Sequence, residues 1–255
     1  MRAVVAGFRF QWWRMLRNAD ELQAFLISPL FALIFGALVL SRNRPDLLPS
    51  AALGAALLGM WTLCLQAGGN VIESERRGGT FEALESTPAA LRNIVIGRVA
   101  VISMLTLLTL PEVWLFVLTV FHRTITVGHP VLLAVTLLLI AIGLHATSVL
   151  FSALFVLARE PVIFQNALAY PIYLLGGLVI PVAYLPDAVQ PISRLLFLSW
   201  GSDLARDALA AAAVDDLPVR LMSLGATVLA TIVLSQLVFT ILLRRARRVG
   251  TLNLV

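Results

Sequence analysis

The few polar side chains that lie inside apolar runs are where this chain has chemistry to offer. Glu112, in Leu110-Pro-Glu-Val-Trp114, is the one acidic residue well inside such a run. A charge at mid-bilayer costs about 2.5–3.5 kcal/mol on insertion scales, so it needs a reason to be there. Two are open: a carboxylate on a substrate or proton path, or a residue near the outer interface bonded to carbonyls freed at a Pro111 kink. Gln66 and Asn70 stand four residues apart, which puts them on one helix face. Asn166, Tyr170 and Tyr173 share a second face, with Gln165 beside them. Such groups suit a polar lining of a translocation path, and equally hydrogen bonds between packed helices.

Bond-making constellations are missing. There is no HExxH and no GxSxG. His122, His129 and His145 are scattered, and Cys64 is the single cysteine, so no metal-ligand spacing and no disulfide framework exists. All 19 basic residues are arginine. A GxxxxGK[ST] phosphate loop needs a lysine to reach the β- and γ-phosphates, so the chain cannot hydrolyse nucleotide by that route.

The elements that position these residues follow from composition. Of 255 residues, 60% are apolar and 13% charged, with a mean hydropathy of +0.93. Soluble domains run at about 45–50% and about 25%, so the fold class is an all-α membrane protein. A span needs about 20 apolar residues, and six segments qualify: roughly 22–40, 50–72, 94–121, 130–157, 161–183 and 221–243. Gly176-Gly177 with Pro171 and Pro181 predicts an irregular fifth span. No alternating ten-residue strand pattern of a β-barrel is visible.

Orientation follows the arginines. One set of connections holds Arg2, Arg9, Arg14, Arg17, Arg76, Arg77, Arg92, Arg98, Arg159, Arg244, Arg245, Arg247 and Arg248; the other holds Arg42, Arg44, Arg123, Arg194, Arg206 and Arg220. The richer side is cytoplasmic by the positive-inside rule, with both termini there. Since the arginines edge apolar runs, the positive charge points to lipid, not to nucleic acid. Residues 1–20 read as an interfacial amphipathic helix: Val4, Val5, Phe8, Trp12, Met15 and Leu16 on one arc, Gln11 and the arginines on the rest, Phe10 and Trp13 breaking the pattern. The chain is then one transmembrane domain over 1–255, with six spans across 22–243 and a cytoplasmic tail at 244–255. Within the external stretch 184–220, the apolar piece 192–200 is too short to cross and predicts a re-entrant helix before the last span.

The cytoplasmic loop reads Glu73-Ser-Glu-Arg-Arg-Gly-Gly-Thr-Phe-Glu-Ala-Leu-Glu-Ser-Thr-Pro88. Gly78-Gly79 breaks the preceding helix, Thr80 suits an N-cap, and Glu82 favours the first turn of the next. Thr87-Pro88 starts the helix after that. Phe81 and Leu84 project from a helix of about two turns, which is marginal alone and calls for a partner.

This loop resembles that of the permease subunits of type-2 ATP-binding-cassette exporters, the class that includes bacterial drug and antibiotic exporters. Their pattern, Glu-x-Glu-Arg-x-x-Gly-Thr-(apolar)-Glu-x-Leu-x-x-(Ser/Thr)-Pro, is matched by Glu73, Glu75, Arg76, Gly79, Thr80, Phe81, Glu82, Leu84, Thr87 and Pro88. A second matching stretch is Gly176-Gly-Leu-Val-Ile-Pro181 with Leu185-Pro186 and WGSDLAR from Trp200 to Arg206; Phe197 stands where family members often have proline.

The resemblance implies a multi-pass permease in a bacterial plasma (inner) membrane, paired with a second copy or a sister permease. It implies a separate ATP-binding-cassette ATPase that carries ATP and Mg, this chain binding no cofactor itself. The loop would be a coupling helix seated on that ATPase through Glu73, Glu75, Arg76, Gly79, Thr80, Phe81, Glu82, Leu84 and Glu85. The substrate path would run beside spans one, two and five, past Trp61, Gln66, Asn70, Glu112, Asn166, Tyr170 and Tyr173. The cargo would be amphipathic or hydrophobic: a drug, antibiotic, lipid or lipid-linked glycan. The alternatives are a haem or cytochrome-maturation permease, and a polytopic membrane enzyme or assembly factor without an ATPase. The enzyme alternative suffers from having only Glu112 to converge on a reacting group.

Overall fold

A backbone surrounded by hydrocarbon has to satisfy its own amides, and the apolar stretches do so as helices. The structure, a computed structural model, describes residues 2–17, 19–72, 88–157 and 161–249. The elements run α1 (Arg2–Arg17), α2 (Ala19–Ser41), a 3-10 turn (Pro45–Leu47), α3 (Leu48–Leu63), a π-helical turn (Cys64–Gly68), α4 (Pro88–Thr106), α5 (Thr109–Phe121), α6 (Pro130–Leu157), α7 (Pro161–Leu175), a 3-10 turn (Val182–Tyr184), α8 (Gln190–Ser193), α9 (Phe197–Leu209) and α10 (Leu217–Val249). No strand occurs among the described residues.

Four helical stretches are long and apolar enough to cross a membrane: Pro45–Gly68, Arg92–Phe121, Pro130–Phe155 and Leu217–Leu242. They correspond to the second, third, fourth and sixth expected spans. The first is represented by the shorter apolar helix Phe25–Ser41. The fifth, expected over 161–183, stops as a helix at Leu175. At about 1.5 Å per residue its 15 residues rise only about 22 Å.

The third stretch is one helix in two pieces. Pro111 has no N–H to give to the carbonyl four residues back, and the chain tightens at Leu107 and Leu108, whose amides turn to Met104 and Leu105. Hydroxyls mend the break: Thr106 donates to the Ser103 carbonyl at 2.7 Å, and Thr109 to Thr106 at 2.7 Å and Ala56 at 3.2 Å. The Ala56 bond ties α5 to α3.

The N-terminal helix departs from its expected orientation. It packs along α4, and a Cβ at Gly97 would run into the Val4 carbonyl while one at Gly7 would run into that of Ile94, so the two backbones touch. The amphipathic arc splits accordingly. Met15 is buried against α4, and Val5, Trp12 and Leu16 stay exposed. Gln11, assigned by periodicity to the polar outer arc, is 2% exposed, and its Oε1 accepts from Arg98 Nε at 2.9 Å. The reason is Arg98, counted from sequence as an ordinary inner-side charge but buried here; a buried guanidinium needs acceptors. Phe10, the pattern breaker, lies under that guanidinium at 5.1 Å. Gly97→Val is expected to pry α1 from α4 and lower the melting midpoint in lipid nanodiscs by about 5 °C or more, since backbone cannot step aside as a side chain does. An unchanged midpoint in a thermal melt counts against this crossing.

α6 runs through the middle, against α4, α9, α10 and the π turn. At one end of the bundle the connections gather. The backbone amide of His129 donates to the Ala208 carbonyl at 2.8 Å. There Arg44 pairs with Asp46 at 3.0 Å, and that hydrogen bond holds the Asp46 carboxyl below its ordinary value. The apolar piece expected over 192–200 is not one helix: α8 ends at Ser193 and α9 begins at Phe197. α9 buries Phe197, Leu198, Gly201, Leu204, Ala205 and Ala208 against its neighbours. Phe197, at the family's usual proline position, sets its ring where Gly143 leaves room on α6.

Candidate functional site

The coupling residues named from the sequence, Glu73, Glu75, Arg76, Gly79, Thr80, Phe81, Glu82, Leu84 and Glu85, lie outside the described residues. The segments on both sides of them are described. The chain arrives through the π turn and residues 69–72, and resumes at Pro88 as α4.

A wide turn carries one extra residue and loosens the regular amide ladder. At Cys64–Gly68 its two end carbonyls gain donors from α6. Ser148 Oγ donates to the Cys64 carbonyl at 3.0 Å, and Ser152 Oγ to that of Gly68 at 2.6 Å. The Cys64 thiol lies 3.2 Å from the Leu144 carbonyl. Gly68 makes this approach possible, because a Cβ there would meet the Ser148 side chain at 2.6 Å.

That turn separates two residues expected on one face. A π turn repeats every five residues, so positions four apart diverge. Gln66 is exposed, whereas Asn70 turns toward α7 and accepts from Gln165 Nε2 at 2.6 Å. One helical segment further along the same seam, the Thr62 and Tyr173 hydroxyls meet at 3.2 Å. Tyr170, 70% exposed, stands edge-on to Tyr173 with ring centroids 6.0 Å apart, and Asn166 is exposed on α7 as well. The structure thus brings Asn70, Tyr173, Gln165 and Thr62 together along the α3–α7 seam, with Tyr170 and Asn166 beside it on the protomer surface.

Two named residues lie elsewhere. Trp61 is 1% exposed, edge-on to the Phe151 ring at 6.1 Å, in the core between α3 and α6. Glu112 is half-buried in the first turn of α5, a helix that packs chiefly on α2 and α3. Its Oε2 is buried without a hydrogen-bond partner among the described residues.

Sequence reasoning missed the cluster that closes α7. Gly177 adopts φ +68°, a conformation glycine takes without strain, and the helix ends. Four successive carbonyls are then left over, and each finds a donor. Ser193 Oγ takes Leu175; Ser202 Oγ takes Gly176 at 2.9 Å; Arg206 Nη2 takes Gly177 at 2.5 Å and Leu178 at 3.3 Å. Arg206 Nε also reaches Ser50 Oγ at the start of α3, at 3.3 Å. Asp203 bridges Arg194 at 2.8 Å and Arg206 at 3.9 Å. Burial pulls the Arg206 guanidinium below its ordinary value, opposed by Asp203 and Asp207; an arginine stays protonated regardless. The visible signal was the pairing of a broken fifth span with WGSDLAR, whose serine and arginine are the donors.

No group of three or more His, Cys, Asp or Glu able to hold a metal ion occurs among the described residues. A comparison with protein families finds that the model described as "ABC-2 type transporter" matches residues 2–210. A comparison with curated proteins finds no significant match.

Proposed function

The chain belongs to the ABC-2 type transporter family and is a multi-pass membrane permease subunit, and on that premise we propose that it is the membrane half of an exporter driven by a separate ATPase. The ATPase, holding ATP and Mg, seats on residues 73–88, and its closure pushes the spans that continue from both ends of that segment. The observation that carries this reading is the family match, which contains the whole 73–88 motif.

Both termini are cytoplasmic in this reading. Supporting it, four of the six arginines assigned to the outer side are held by neighbours: Arg44 by Asp46, Arg194 by Asp203, Arg220 by Asp207, and Arg206 by carbonyls. Their charge is largely compensated, which sharpens the excess on the inner side.

A second copy, or a sister permease, covers the α7 face. Asn166 and Tyr170 are exposed polar groups on an apolar helix, and Gln66 is exposed nearby on the π turn. Polar groups in a membrane turn to a partner or to a water-filled cavity. The path between the two halves carries an amphipathic or hydrophobic cargo: a drug, antibiotic, lipid or lipid-linked glycan. The setting is a bacterial inner membrane.

Co-purification with a candidate cassette ATPase, followed by ATP-dependent efflux of a compound panel from proteoliposomes, tests the reading. A stoichiometric complex whose ATP turnover rises with a transported compound is the expected result. A chain that carries out its activity without any ATPase overturns it.

A further inference from the structure

We propose that Ser148 and Ser152 are positioning residues for energy coupling: their hydroxyls hold the Cys64–Gly68 turn in its widened form and so set the direction in which the chain enters the ATPase-docking segment. The proposal rests on the exporter reading above and adds to it the part that fixes the register of the drive shaft.

The argument starts from spacing. Ser148 and Ser152 stand one turn apart on one face of α6. Their hydroxyls reach the first and last carbonyls of the widened turn, Cys64 at 3.0 Å and Gly68 at 2.6 Å. Ser148 and Ser152 are both buried, so no water competes for these carbonyls. A residue in an α-helix advances by about 100°, so one extra residue rotates everything after it by about that angle relative to an unbroken helix. Residues 69–72 follow the turn directly, and 73–87 follow them.

Asn70 reports which register is occupied. It meets Gln165 only with the extra residue in place; in an unbroken α-helix it would share the exposed face of Gln66. The serine pair, the wide turn and the Asn70–Gln165 bond therefore form one two-position element. It lies between α6 and the segment on which the ATPase acts, so a push on that segment reaches α7 through Asn70.

The test has one arm that needs no ATPase. The melting midpoint of the full chain in lipid nanodiscs is measured for N70A, Q165A and the double variant, first in the parent and then in S148A/S152A. The parent is expected to show a non-additive midpoint shift, and the serine variant an additive one. Should S148A/S152A not fold, S152A alone, which keeps the Ser148–Cys64 contact, carries the same cycle, and S152T is expected to restore the parent result. The second arm measures substrate moved per ATP hydrolysed in proteoliposomes with the partner ATPase. That ratio is expected to fall by roughly two- to thirty-fold in the serine variant while the ATPase still binds and turns over.

A cycle that stays non-additive without the serine hydroxyls overturns the register claim. A lost cycle with an unchanged ratio overturns the coupling claim. If instead the parent shows no ATP-driven transport at all, the exporter reading is what has failed, and the cycle records the register separately.

Discussion

Replacing Phe81 and Leu84 together by aspartate is expected to strip the ATPase from the complex and abolish ATP-driven transport, while the permease still inserts and melts as the parent does. Seating a Phe and a Leu in a groove contributes about 1.5–3 kcal/mol each by removal of apolar surface from water. Two carboxylates in their place also bring a desolvation penalty and repel the neighbouring Glu82 and Glu85. A loss of roughly 3–6 kcal/mol weakens binding by about two to four powers of ten, which empties the complex at working concentrations. The substitution lies in a loop between two spans and removes no contact from the buried clusters around α3, α4 and α6. The checks are a pull-down with the ATPase and a thermal melt side by side. Stoichiometric ATPase on the aspartate variant, with coupled turnover intact, sinks the coupling assignment; a collapsed melt would instead mean the loop is part of the fold.

How far the sequence alone reached depends on what kind of signal each residue leaves. The spanning helices were legible because apolar runs at helix length have few other solutions in lipid. The end of α7 was legible as a weakness, since Gly176-Gly177 between two prolines cannot continue a helix well. What replaces the lost amide bonds was not, because Ser193, Ser202 and Arg206 act across 18 to 29 positions of chain. Arg206 looked like one more outer-side charge. Gln11 and Arg98 misled for a related reason: periodicity puts polar groups outward, and a pair 87 residues apart that satisfies itself inside defeats the pattern. The π turn left no period at all, since five residues are too few to show a changed repeat. Its hint was on another helix, in the one-turn spacing of Ser148 and Ser152. The 73–88 motif was read from its likeness to a family, and the family match over 2–210 stands behind that reading.

Arg206→Leu is expected to lower the melting midpoint by about 10 °C and to free the end of α7 from α3 and α9. Leucine keeps much of the side-chain volume and removes the donors. The carbonyls of Gly177 and Leu178 then stay buried without partners, each at a cost of about 1–3 kcal/mol, since Gly177 and Leu178 are both enclosed. Asp203 keeps Arg194 but loses its second cation, and Ser50 loses its link to α9. A total of about 3–5 kcal/mol is in line with breaking one side of a buried polar cluster. At about 2–4 °C per kcal/mol for a chain of this size, the shift is of order 10 °C. Arg206→Lys separates charge from geometry. Lysine brings the same charge as a single point, and cannot fork across two carbonyls and a hydroxyl, so it recovers only part of the loss. Differential scanning fluorimetry in nanodiscs reads both variants. If leucine melts within a degree or two of the parent, the carbonyls have found other donors, and the clamp is not what holds the broken helix in place.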